Sequence, residues 1–203
     1  MHIYQPKFIL RLLFPAIYRI PQEEPTIYLT FDDGPCPETT PQILETLRLH
    51  GVKATFFCVG NNVKNNYQLF EQILNEGHQV GNHTMRHTDA WIIKAEQLIE
   101  CVTEAAVYIQ SKLFRPPHGH LTPRQAYMLR QRGYKIVLWD VICYDWDKKR
   151  SPRDIFNSIR HYTRNGSVIV LHDSVKAAPR VIPILDQIIA WLKSKGYKFD
   201  TLK

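Results

Sequence analysis

From residue 25 onward the chain alternates short apolar runs with longer stretches whose apolar positions recur every three or four residues. The short runs predict strands over 26–31, 54–59, 79–81, 113–115, 135–139 and 167–171, with a last one over 197–201. The longer stretches predict helices over 41–50, 66–76, 91–111, 122–132, 152–163 and 179–195. Gly51, Gly77, Gly133 and Gly196 follow four of these helices, where a left-handed cap is expected. Strand and helix taking turns is the signature of repeated βα units, hence an α/β fold with one parallel sheet. A closed eight-unit barrel typically takes about 250 residues. At 203 residues, a distorted or incomplete (β/α) barrel of about seven parallel strands is the expectation.

Chemically loaded clusters fall at the ends of these strands. Asp32-Asp33-Gly34-Pro35 follows the first run, His83 and His87 the third, and Arg115-Pro116-Pro117-His118-Gly119 the fourth. Asp145-Trp146 comes after the fifth and His172-Asp173 after the sixth. In a parallel barrel the C-terminal strand ends share one rim, and that rim is where barrel enzymes keep their active sites. Two adjacent carboxylates at a strand end repel each other and call for a cation. Histidines four apart share a face if they sit on a helical turn, and one Asp with two His forms a metal triad with open positions.

Bulk properties narrow the function. The composition, 44% hydrophobic and 22% charged, is that of one ordinary globular domain, with residues 1–24 as an N-terminal arm ahead of a domain over 25–203. A net charge of +7 admits an anionic partner, but Lys148-Lys149-Arg150 is the densest basic cluster and no nucleic-acid motif is present. Nucleic acid is therefore not an expected partner. Cys36, Cys58, Cys101 and Cys143 have neither CxxC nor close zinc spacing and are expected as free thiols. The apolar segment 8–18 is interrupted by Arg11, too short to span a bilayer and without a cleavage site. It predicts an arm packed on the domain, the alternative being peripheral contact with a membrane, and a cytoplasmic or membrane-peripheral location. Nothing in the chain signals an oligomeric state.

Taken together, Thr30-Phe31-Asp32-Asp33-Gly34-Pro35, His83-Thr84-Met85-Arg86-His87, Arg115-Pro116-Pro117-His118-Gly119, Asp145-Trp146 and Val170-Leu171-His172-Asp173 resemble the motifs of the NodB-type polysaccharide deacetylases, carbohydrate esterase family 4. The motifs occur in that family's order, from about residue 25 to the C-terminus. The resemblance implies metal-dependent hydrolysis of acetyl groups on an N-acetylated glycan. Asp33, His83 and His87 would hold one divalent ion, zinc by preference, with cobalt, nickel or manganese compatible with the same ligands. Asp32 would be the general base, ionised beside Arg115, and His172 the general acid, its partner being Asp145. Trp146 and Leu171 would grip the acetyl methyl, and the backbone N–H of His118 would face the oxyanion. Two positions depart from the family pattern: His118 stands where Tyr is usual, and Ile142 where a fuller motif carries a further acid. An O-acetyl esterase or a small-molecule amidohydrolase would use the same groups. A sugar-binding module without turnover is the third reading, although the seven ligand and acid–base residues are all present.

Overall fold

The computed structural model describes residues 4–6 and 14–203. Its centre is a curled sheet of parallel strands in the spatial order β5-β4-β3-β2-β1-β7-β6. These are β1 (Thr26–Asp32), β2 (Thr55–Cys58), β3 (Gln79–Asn82), β4 (Leu113–Phe114), β5 (Lys135–Ile136), β6 (Val141–Ile142) and β7 (Val168–His172), with β8 (Lys198–Phe199) paired to the first residues of β1. Helices α1 (Thr40–Leu49), α2 (Gly60–Asn65), α3 (Tyr67–Asn75), α4 (Ala95–Ala106), α5 (Pro123–Gln131), α6 (Pro152–Tyr162) and α7 (Ala178–Ser194) make the connections. None of the described helices is long and apolar enough to cross a membrane.

Side-chain alternation along the strands separates two apolar layers. Ile27, Leu29 and Phe31 of β1, Phe56 of β2 and Ile169 and Leu171 of β7 pack in one cluster with apolar residues of α1 and α7, such as Leu44 and Leu185. The opposite parity, Tyr28, Phe57 and Val168, meets Leu113, Val137 and Leu202 inside the curl. Thr30 and Asp32 therefore share the inward face with Tyr28, and Val170 and His172 share it with Val168.

The described part of the N-terminal arm belongs to this body. Ile17 bridges Val137 beyond β5, Arg19 bridges Ser167 ahead of β7, and Ile17 and Ile20 pack on the inner cluster. Residues 7–13, which hold much of the apolar segment, lie outside the described residues.

Four expectations need correction. The segment 91–111 is not one helix: a 3₁₀ turn, Ala90–Ile92, is followed by extended Ile93 and Lys94 before α4 begins. Gln125 of α5 explains the break, since its amide donates to the carbonyls of Ala90 and Ile93 and takes them out of any helical ladder. The run 135–139 shortens to two residues, and Val141–Ile142 forms an unforeseen strand beside β7. Asp145 thus follows β6 rather than β5. His83 and His87 lie on a turn, not on a helix, with positive φ at Thr84 (65°) and His87 (53°).

Candidate active site

The C-terminal ends of the strands surround a cavity of about 360 Å³ lined by Asp32, Asp33, His83, His87, His118, Trp146 and His172, among others. Ladder register does the first part of the assembly. Asp32 pairs with His172 across β1 and β7, so these inward side chains are neighbours. His83 continues β3, its N–H bonding the carbonyl of Cys58, and Arg115 continues β4 by bonding that of Asn82.

Backbone strain does the second part. Asp33, Thr84, His87, His118 and Tyr144 are the non-glycine residues with positive φ among those described. Each such conformation costs on the order of 1–3 kcal/mol and persists only where its surroundings enforce it. Four of the five line the cavity and the fifth, Thr84, stands between its two histidines. The loop after β1 is held from behind by Asp173, whose carboxylate accepts the Gly34 N–H at 2.9 Å and the Thr40 hydroxyl at 2.6 Å. A side chain at Gly34 would collide with that carboxylate, since an added Cβ would lie 1.8 Å from Asp173 Oδ2. Burial raises the Asp173 pKa to about 8, with the Asp33 charge adding to the effect.

Asp33, His83 and His87 present ligand atoms that all lie within 4.8 Å of one another. Asp33 Oδ1 is 3.7 Å from His83 Nε2 and 3.2 Å from His87 Nε2, and although buried it accepts no hydrogen bond. His83 Nδ1 donates to the Arg115 carbonyl at 2.7 Å, which fixes the tautomer. Burial lowers the His83 pKa to about 4, so the Nε2 lone pair faces the Asp33 oxygen at neutral pH. Lone pair against lone pair is an arrangement a cation relieves. The donor set, one carboxylate oxygen and two imidazole nitrogens, suits a zinc-like divalent ion with open positions. Burial opposes ionisation of Asp33, but His87, His172 and His83 outweigh it and hold the pKa well below the usual carboxylate range.

Two charged pairs flank this triad. Arg115, fully buried, places Nη1 2.6 Å from Asp32 Oδ1 and 2.7 Å from Thr30 Oγ1, and its Nη2 donates to the Leu138 carbonyl at 2.9 Å. Its guanidinium also lies 4.1 Å from the centre of the Phe57 ring. Burial draws the Arg115 pKa down while Asp32 opposes this; a guanidinium keeps its charge in proteins all the same. On the other flank His172 Nδ1 donates to Asp145 Oδ1 at 2.8 Å, and the His172 backbone N–H donates to Oδ2 at 2.7 Å. Burial works against the imidazolium, yet Asp145, with Asp33 and Asp32, raises its pKa to about 10.

The sequence-derived site residues meet here with one exception. Trp146 packs edge-on to His172 at 4.7 Å between ring centres, and His118 lies against His87 at 4.7 Å. Leu171 does not reach the cavity: it is fully buried in the outer cluster, and Val170 lines the cavity instead. The period of two along β7 requires this, because a residue sharing the face of His172 must be two positions away. That signal was present in the sequence. Trp139, Ile142 and Tyr144 also line the cavity, as does Lys176; a fold was needed to find them. Ile142 makes apolar wall where the fuller motif would carry an acid. The four cysteines are free thiols.

A comparison with protein families matches residues 19–137 to the model described as polysaccharide deacetylase. A peptidoglycan-N-acetylglucosamine deacetylase of Bacillus cereus is 34% identical over 198 residues, covering 91% of this chain and 90% of its own. Among solved structures, the Bc1960 peptidoglycan N-acetylglucosamine deacetylase superposes with a TM-score of 0.90 at 32% identity, over 97% of this chain and 95% of that one. A pseudoenzyme of carbohydrate esterase family 4 from Bacillus anthracis is also similar, with a TM-score of 0.82 at 26% identity, over 97% of this chain and 71% of that one. Family model, relatives and strand-end motifs agree, and the chain belongs to the NodB-type polysaccharide deacetylases of carbohydrate esterase family 4.

Proposed function

We propose that the protein hydrolyses the N-acetyl group of N-acetylglucosamine units in a peptidoglycan-type glycan, giving acetate and a free amine, with Asp33, His83 and His87 holding one divalent ion, zinc by preference. The reading is carried by one observation: a paired carboxylate and a paired imidazolium stand on opposite flanks of three converging ligand atoms in a single cavity. A carboxylate base and an imidazolium acid on either side of one cavity are what acid–base hydrolysis needs at one pH.

When bound, a divalent ion supplies Lewis-acid polarisation of the acetyl carbonyl and lowers the pKa of water at the site. Asp32 takes the proton of the attacking water; Arg115 occupies its Oδ1 and leaves Oδ2 for that transfer. Water oxygen then bonds to the carbonyl carbon, and the His118 backbone N–H is the chain's donor to the developing oxyanion. His172 donates its Nε2 proton to the sugar nitrogen as the C–N bond breaks. Asp145, at its Nδ1, keeps that proton available at neutral pH. Val170 and Trp146 supply the apolar wall for the methyl group.

Because a pseudoenzyme shares this fold, turnover is the point to test. Acetate release from N-acetylglucosamine oligomers by zinc-loaded protein is expected, and Asp32→Asn or His172→Ala should lower it by about 10²–10⁴-fold. Equal release by these variants and wild type would refute the assignment.

A further inference from the structure

Two rings on the rim, Trp91 and His120, have no part in the chemistry above. Trp91, on the 3₁₀ turn Ala90–Ile92, is 63% exposed. Its indole lies flat against the imidazole of His120, with ring centres 3.6 Å apart and planes within 2°. Asp89 fixes both partners. Its Oδ1 accepts the Trp91 backbone N–H at 2.9 Å and the His120 Nδ1–H at 3.0 Å, with Oδ2 at 3.1 Å from the same nitrogen. Ring then follows ring toward the cavity: His120 to His118 at 5.7 Å, and His118 to His87 at 4.7 Å.

This arrangement is preorganised on one side and bare on the other. A mobile surface tryptophan would lose side-chain freedom on binding a ligand, whereas a stacked indole on a pinned backbone has already lost it. Rigid aromatic surface left in water, continuous with a reaction cavity, fits a ligand that leaves the cavity and lies on the rim. A cavity of about 360 Å³ is near the lower end of the range for small-molecule sites. It suits one acetylated sugar, so adjoining sugars of a chain must sit outside it. The flat C–H face of a pyranose complements an indole face, an apolar surface with a negative centre.

We propose that Trp91, held against His120 by Asp89, is a stacking subsite for a pyranose ring adjoining the reacting sugar. This rests on the reading of the cavity as a deacetylase site. Two measurements test it, with the melting temperature confirming that the variants fold. In turnover by zinc-loaded protein, the ratio of kcat/KM for a long chito-oligosaccharide to that for single N-acetylglucosamine should fall about tenfold in Trp91→Ala and recover largely in Trp91→Phe. In calorimetric titration with the same oligosaccharide in an Asp32→Asn background, Trp91→Ala should weaken binding by a similar factor. An unmoved ratio, equal affinities, or no binding by the protein that retains Trp91 would overturn the subsite. The outcomes separate the two readings. Trp91-dependent binding without acetate release sinks the hydrolase and keeps the subsite; acetate release with Trp91-independent binding does the reverse.

Discussion

Replacing Asp145 by Asn tests the acid half of the site. In the wild type His172 is raised from 6.5 to about 10, against the effect of its own burial, with Asp145 the largest favourable influence. That interval corresponds to about 5 kcal/mol of preference for the imidazolium at about 1.36 kcal/mol per pKa unit. Without the Asp145 charge, burial faces only Asp33 and Asp32, and the pKa should fall to about 6.5 or below. At pH 8 the protonated fraction would then drop from nearly complete to about 3%, so kcat should fall about 30-fold there. The assay is acetate release against pH, with NMR titration of the His172 ring in metal-free protein, because a bound cation opposes the Asp33 and Asp32 contributions. Stability gives an independent sign. A raised pKa stabilises the fold fully below 6.5 and the contribution is lost as pH rises through about 10. Asp145→Asn should therefore be least stable relative to wild type at acid and neutral pH, the gap closing toward pH 10. A variant whose His172 still titrates near 10, or whose basic limb does not move, refutes the reasoning.

Other expectations follow from single contacts. Arg115→Met keeps the stem but strands Asp32 and the Leu138 carbonyl; a loss of about 3–5 kcal/mol is expected in denaturant titration, and a loss under 1 would mean that the pair is not sealed from water. Leu171→Ala should cost about 2–5 kcal/mol with KM unchanged, whereas Val170→Ala should raise KM; a change in KM for Leu171→Ala at unaltered melting temperature would contradict the strand parity. A chelator should abolish acetate release and added zinc restore it, and His83→Gln should lower zinc content by about tenfold or more in elemental analysis. Full activity after chelation would remove the triad from the mechanism.

Much of the site was legible because each cluster sits at a strand end and parallel strands align their ends. Asp32 and His172, in different motifs, become neighbours through the β1–β7 register. What the pattern misread has particular physical causes. A strand of two residues, Val141–Ile142, is too short for any periodicity to register. The His83–His87 spacing suits a helical turn, but positive φ at Thr84 and His87 brings the rings together another way. Trp91 carries a helical pattern, yet Gln125, remote in sequence, captures the carbonyls that a helix would use. Leu171 was a misassignment that alternation along its own strand could have prevented.

The sequence by itself determined the α/β architecture and the order of the strand-end motifs, because these depend on residue type and local period, and the resemblance that those motifs carry supplied the proposed ligand, base and acid residues. Only the tertiary structure decided that Arg115 is sealed beneath Asp32, that Asp173 braces the loop after β1, and that Asp89, His120 and Trp91 form one platform at the rim. Those facts depend on burial and on contacts between distant segments, and burial sets both the charge of a group and the strength of its pairing.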